Sequence, residues 1–321
     1  MTTYPGKSGE FLRALGRHEA TKSLIPVSFV VAFGVAWTRL QPEFFWQDDF
    51  QTQYLPASRE IARALSAGEL PILTDRAWFG AALAGEYQHG AFSLASLALN
   101  WLAWKLNLSL PGTASALVLA HLSLLSAGTF RLARGRGLDA PEATLAALIA
   151  ALNGWLIGWG KSWYPAIVSF TWVPWTWWAL ERALSRPRRP LDVVLAGTFI
   201  YLVLAAGWPF TTLMVALLSV CLVVRSLYQT RTLLDVWPAA VAWVVALGFS
   251  APSLMMFLEY GGITNRASEG LAVDRQWLVP LAGLSGLILP AANAYWRGYQ
   301  AYWVTRPSVE LAGGLVPLCA M

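Results

Sequence analysis

Apolar runs of roughly 16 to 25 residues recur along the chain, near 23–39, 113–130, 143–160, 163–180, 191–207, 209–224 and 236–258, with short stretches between all but the first two. Runs of that length match the hydrocarbon thickness that one α-helix crosses. Backbone polar groups in lipid must be satisfied internally, so each run reads as a helix rather than an open strand. The pattern predicts an all-α fold, a polytopic transmembrane helix bundle of about seven or eight spans.

The polar stretches order the spans. Arg131, Arg134 and Arg136, then Arg182, Arg186, Arg188 and Arg189, then Arg225 and Arg231 all fall on one side if the N-terminus, with Lys7, Arg13, Arg17 and Lys22, is cytoplasmic. That arrangement follows the positive-inside rule. The segment 91–104, "AFSLASLALNWLAW", is short for a span, and counting it would move every later Arg cluster outside. It is expected to lie in the interface or to re-enter. Residues 40–112 then form a long first extracytoplasmic loop, and residues 259–310 a second. Loops of such length are usually functional.

Within the first loop, Tyr54, Ser58, Ile61 and Leu65 repeat at helical spacing behind Pro56, and Gly68 closes the run. This predicts a short interfacial helix from about 55 to 66. Trp155, Trp159, Trp163 and Tyr164, in "GWLIGWGKSWYP", are expected at the outer interface, where amphipathic rings concentrate. The basic N-terminus and first apolar run have the order of a signal peptide. No A-x-A-like site follows and the run reaches Thr38, so it reads as a retained span. The whole chain, 1–321, reads as a single transmembrane domain. Its last residues, "ELAGGLVPLCAM", enter a new apolar run, as the N-terminal part of a longer protein would, or else cap the outer loop.

Composition agrees: 56% of residues are hydrophobic and 13% charged, against about 25% charged in soluble domains. The net charge of +5 sits in clusters between apolar runs rather than along one face, so topology accounts for it better than a nucleic-acid partner does. Cys221 and Cys319 provide no disulfide or thiolate-metal framework.

Against this apolar background a few residues stand out. Asp48 and Asp49, in "FFWQDDFQTQYLPASRE", are adjacent acids just beyond the first span. Such carboxylates suit a hard metal ion or general-base work, and equally a solvated loop. If "DFQTQ" is α-helical, Asp49 and Gln53 share a face while Asp48 points away. Glu86 and His89, three apart in "GEYQHGAF", have the spacing of a metal pair or proton relay, or of an ordinary polar loop. His121, mid-span, suggests a pathway or a helix–helix hydrogen bond. Lys161 suits a phosphate or snorkels to the interface. Glu259, Arg266, Arg275 and Arg297 lie in the second outer loop, where Arg can pair bidentately with phosphate or anchor the chain to lipid. No Gly-rich phosphate loop and no G-x-S-x-G occurs, so no nucleotide cofactor is expected.

The segment "DFQTQYLPASREIARALSAGELPILTDRAWFG", with Asp49, Gln53, Tyr54, Pro56, Gly68, Pro71 and Gly80, resembles the first outer loop of the YfhO-like bacterial membrane proteins. The later "LEYGGITNRASEG" and "LSGLILPAANAYWRGYQ" extend the likeness over the chain from about residue 24 onward. The resemblance implies a polytopic glycosyltransferase of the GT-C type in the bacterial inner membrane. Such an enzyme takes a sugar from a polyprenyl-phosphate donor to a glycan or glycolipid acceptor outside the cytoplasm, and Asp49 matches the essential acid of its first outer loop. Asp48 is an additional acid. A divalent cation, Mg or Mn, held by Asp49 or Asp48 is implied by related enzymes, and Arg266, Arg275 or Arg297 would bind the donor phosphate. Family members are usually longer than this chain. The rival readings are a lipid-linked sugar flippase, with His121 and Asn153 in its pathway, and a non-catalytic membrane assembly factor.

Overall fold

The computed structural model describes residues 7–76, 80 and 82–262, with side chains from Thr21 onward, Leu233 excepted. Arg266, Arg275, Arg297, nearly all of the second outer loop and the final apolar run lie outside the described residues. The described residues form eleven α-helices joined by turns, and no strand occurs among them.

A 34-residue helix α1 (Lys7–Leu40) leads into a turn and a π-helical turn at Phe50–Tyr54, which continues as α2 (Leu55–Ser66). A 3-10 turn at Tyr87–His89 precedes α3 (Leu94–Lys105). Then follow α4 (Leu110–Gly135), α5 (Ala140–Leu152), α6 (Gly154–Lys161), α7 (Tyr164–Phe170) and α8 (Val173–Leu184). The series ends with α9 (Pro190–Ala205), α10 (Pro209–Thr230) and α11 (Trp237–Gly262).

Five helical segments are long and apolar enough to cross a membrane: Thr21–Leu40, Leu110–Gly135, Ala140–Lys161, Pro209–Thr230 and Trp237–Gly262. Helix α9 is apolar but shorter. The run expected as one span at 163–180 is instead two short helices, α7 and α8. Pro165 and Pro174 sit in their first turns, where a residue without an N–H belongs. The run at 143–160 is likewise interrupted: Asn153 turns extended, and its side chain accepts from Leu156 N at 2.9 Å to cap α6. Helix α3, the short segment at issue in the sequence, has 12 residues, about 18 Å of rise, which is too little to span the bilayer as one helix.

Two apolar clusters organise the bundle. One joins α8, α9, α10 and α11 through Leu180, Ile200, Val203, Val215 and Ala242. Small residues let these helices approach closely: a Cβ on Gly197 would lie 3.2 Å from Ala242 O. The other joins α1, α4 and α7 to the turn after α1, through Val30, Leu117, Leu122, Ile167, Phe45 and Phe50. Large apolar side chains also point outward, including Leu213, Leu217, Val220 and Val224 on α10 and Val244, Phe249 and Met255 on α11. Water would penalise such a surface and lipid does not, so the chain is a membrane protein in contact with the bilayer.

Arg136 at the end of α4, Arg182 in the last turn of α8 and Arg225 near the end of α10 gather at one end of the bundle, where Arg136 and Arg225 both pair with Glu181. The turn after α1 meets the start of α7 at the other end. The 26 residues of α4 put about 39 Å between the two ends.

Candidate functional site

Past Leu40 the chain turns twice, with Phe44 N donating to Gln41 O and Trp46 N to Glu43 O. Asp48 then adopts a left-handed backbone, φ 53°, a conformation Asp tolerates better than most residues, while Asp49 is right-handed at φ −63°. The reversal aims the adjacent carboxylates at different partners. Asp48 Oδ2 accepts from Ser162 Oγ at 2.7 Å, and Asp49 Oδ2 accepts from Trp163 Nε1 at 2.9 Å. Asp48 is exposed and Asp49 half-buried.

The segment after them is a π-turn, so the condition under which Asp49 and Gln53 would share one α-helical face does not hold. Leu55 N reaches back to Phe50 O, and Pro56, next in line, has no N–H with which to restore α spacing. The wider turn changes the alignment of Asp49 with Gln53 that a regular helix would give. Its inner face is fixed by Phe50, fully buried and stacked on Tyr164 at 4.6 Å with 1° between the rings. That contact ties the acidic turn to α7 and places Ser162 and Trp163 beside the carboxylates.

An indole wall extends from this point. Trp163 and Trp159 each lie within 5.6 Å of Trp208, ring centre to ring centre, and Trp155 lies 4.2 Å from Trp159. Lys161 is half-buried, with Nζ 4.7 Å from the Phe44 ring centre.

Tyr54 is buried, and its hydroxyl donates to Gln88 Oε1 at 2.9 Å. His89 is buried with its ring edge-on to Tyr54, and burial lowers its pKa from 6.5 to about 4. Burial also raises Tyr87, to about 12; its hydroxyl donates to Leu204 O at 2.5 Å, holding the 3-10 turn against the end of α9. Between Tyr54, Ser58, His89, Asn100 and Tyr164, with Pro165, Val168 and Ala206 beside them, lies a cavity of about 10 Å³, about the room one water molecule takes.

Asp48, Asp49, Gln53, Tyr54, His89 and Lys161 thus belong to one end of the bundle. Glu86 and His89 do not act as a side-chain pair there: His89 N–H donates to Glu86 O at 2.9 Å, while the Glu86 carboxylate faces Tyr260. Glu259 is exposed at the end of α11. His121 is fully buried between α4 and α7, edge-on to Tyr164 at 5.7 Å, and its carbonyl accepts from Thr171 Oγ1 at 3.2 Å. Asn153 serves as a helix cap.

Among the described residues no group of three or more His, Cys, Asp or Glu side chains is assembled for a metal. Asp48 and Asp49 carry oxygens of the type a hard ion takes, and the backbone turns them toward different partners, Ser162 and Trp163. Sequence reasoning missed Ser162 and Trp163 as partners of the acids and Gln88 as the partner of Tyr54. It also missed Glu60, buried in α2, which accepts from Arg63 Nε at 2.8 Å and from Thr74 Oγ1 at 3.0 Å. In comparisons with known proteins, no family model, curated protein or solved structure matches the chain.

Proposed function

We propose that the protein is a GT-C-type membrane glycosyltransferase that moves a sugar from a polyprenyl-phosphate donor to a glycan or glycolipid acceptor at the outer face of a bacterial inner membrane. The observation that carries this reading is the half-buried Asp49 carboxylate, oriented by the Trp163 indole beside the Trp wall. The resemblance of the 49–80 segment to the YfhO-like first outer loop supports it. In this reading the N-terminus is cytoplasmic, the broken pair α7–α8 and helix α9 each cross the membrane to give seven spans, and α2 and α3 lie in the outer interface.

Asp49 takes the proton of the acceptor hydroxyl. The acceptor oxygen forms its bond to the anomeric carbon as the bond from that carbon to the phosphate oxygen breaks, and the electron pair leaves with the polyprenyl phosphate. The Trp163 N–H holds the Asp49 carboxylate in a constant orientation toward the acceptor. The flat indole faces give the apolar side of a sugar ring a surface to pack on. Arg266, Arg275 and Arg297 are the candidates for the donor phosphate. A divalent cation, if bound, would be held by Asp48 or Asp49 and would offset negative charge on the leaving phosphate.

Transfer of radiolabelled sugar in membranes containing the wild-type chain tests the proposal. Asp49→Asn, inserted at normal level, is expected to lower the rate by about 10² to 10⁴; full retained activity would defeat the assignment. The flippase reading draws on the breaks at Asn153 and Trp172, since interrupted helices line many transport sites. His121→Gln separates the two: sugar transfer tolerates it, whereas transport through the α4–α7 contact does not.

A further inference from the structure

At the end of the bundle away from Asp49, the last turns of α4, α8 and α10 diverge around a cavity of about 860 Å³. Its charged lining is Arg136, Arg182, Arg186 and Arg225 against Glu181 alone. Glu181 accepts from both Arg136 and Arg225, the latter at 3.2 Å, so one carboxylate is divided between two guanidiniums. Behind the rim, Asp192 pairs with Arg182 at 2.8 Å, and Asp235 is shared by Arg186 and Arg188. Five guanidiniums, four of them lining the cavity, therefore meet three carboxylates, and two positive charges are left over around it. Arg186 and Arg225 keep 63% and 59% of their side-chain surface exposed, so their donors reach the cavity.

The rest of the lining is amphipathic. Trp178, Leu184 and Leu222 form an apolar part, and Ser226, Gln229 and Thr230 a polar one. Beside the cavity, α10 turns exposed Leu217, Val220 and Val224 outward on the face that contacts lipid. An ion in free solution needs no apolar lining, whereas a molecule with a phosphate, a short polar linker and acyl carbons uses all three surfaces.

We infer that this cavity is a binding site for a phosphate-bearing anion, with an anionic phospholipid headgroup as its source. The excess guanidiniums hold the phosphate, Arg225 and Arg186 supplying charge-assisted donors, while the glycerol lies along Ser226, Gln229 and Thr230 and the first acyl carbons along Leu222 and Leu184. The site is separate from the sugar-transfer reading and does not depend on it.

The test uses the full chain purified in a neutral detergent, with retained lipid counted by native mass spectrometry during titration with dioleoyl phosphatidylglycerol or dioleoyl phosphatidylcholine. Phosphatidylglycerol is expected to bind in preference, and Arg225→Gln and Arg186→Gln each to weaken it about fivefold. Glu181→Gln, which removes the competing carboxylate, should tighten it. Arg76→Gln, an exposed Arg in the segment after α2, should leave it unchanged. Arg225→Lys preserves charge but not the fork, and should weaken binding less than the fivefold expected of Arg225→Gln, which gives a second variant should Arg225→Gln fold poorly. Glycerol phosphate at millimolar concentration should fail to displace the lipid; displacement would assign the site to a soluble phosphate ester instead. Equal retention of the two lipids, or an Arg76→Gln effect as large as that of Arg225→Gln, would overturn the site.

Discussion

Trp163 Nε1 donates to Asp49 Oδ2 at 2.9 Å, joining residues 114 positions apart and fastening the turn after α1 to the start of α7. A hydrogen bond to a charged group contributes about 1.5 to 3 kcal/mol. Trp163→Phe keeps an aromatic ring and deletes the donor, so sugar transfer should fall about tenfold or more while membrane insertion stays normal. Asp48→Asn, whose partner is the Ser162 hydroxyl, should cost less than Asp49→Asn in the same transfer assay.

Protonation of His89 provides a second check. Burial lowers its folded-state pKa to about 4, against 6.5 in the unfolded chain. Between those values the unfolded state binds the extra proton, so stability falls as pH drops from about 6.5 towards 4 and levels off below. The loss is on the order of a few kcal/mol. Thermal unfolding in detergent should show this slope, and His89→Gln should flatten it.

Gly207 occupies a left-handed turn, φ 77°, between α9 and α10, and a Cβ there would collide with Tyr87 O. The obstacle is backbone, which cannot rotate aside. Gly207→Ala should displace the Tyr87–His89 turn and lower the melting temperature by several degrees, an effect of more than about 2 kcal/mol. Gly248→Ala, with open space around its Cβ, should be nearly neutral in the same measurement.

Glu60 is a third structural element of the loop. Its carboxylate holds Arg63 within α2 and Thr74 fourteen residues on, so it closes the loop behind the helix. Glu60→Ala removes the one oxygen, Oε1, that accepts both bonds and should destabilise the protein by about 1 to 3 kcal/mol, read as easier proteolysis within 67–76.

The sequence was most readable where hydrophobicity carried the signal. Long apolar runs marked α4, α10 and α11 because lipid rewards length and apolarity alone. Tyr54, Ser58, Ile61 and Leu65 marked α2 by spacing, and Pro56 marked its start. Breaks inside apolar runs were harder to see. Asn153 and the Pro165 and Pro174 starts interrupt helices without interrupting hydrophobicity, so a composition window passes over them. The acidic pair was legible as chemistry, but its partners were not. Ser162 and Trp163 are distant in sequence, and packing between the turn after α1 and α7, including the stack of Phe50 on Tyr164, brings them to Asp48 and Asp49. The π-turn was hidden too, because it arises from the hydrogen bond that Pro56 cannot make.

The most direct test of the account is the side of the membrane on which the acidic pair lies. In a chain with Cys221→Ser and Cys319→Ser, Asp48→Cys places a single exposed thiol at that turn. Treatment of intact cells with a membrane-impermeant maleimide should label it at once, as an extracytoplasmic site for a lipid-phosphate sugar requires. Labelling only after the membrane is opened would put the carboxylates in the cytoplasm and contradict the proposed reaction.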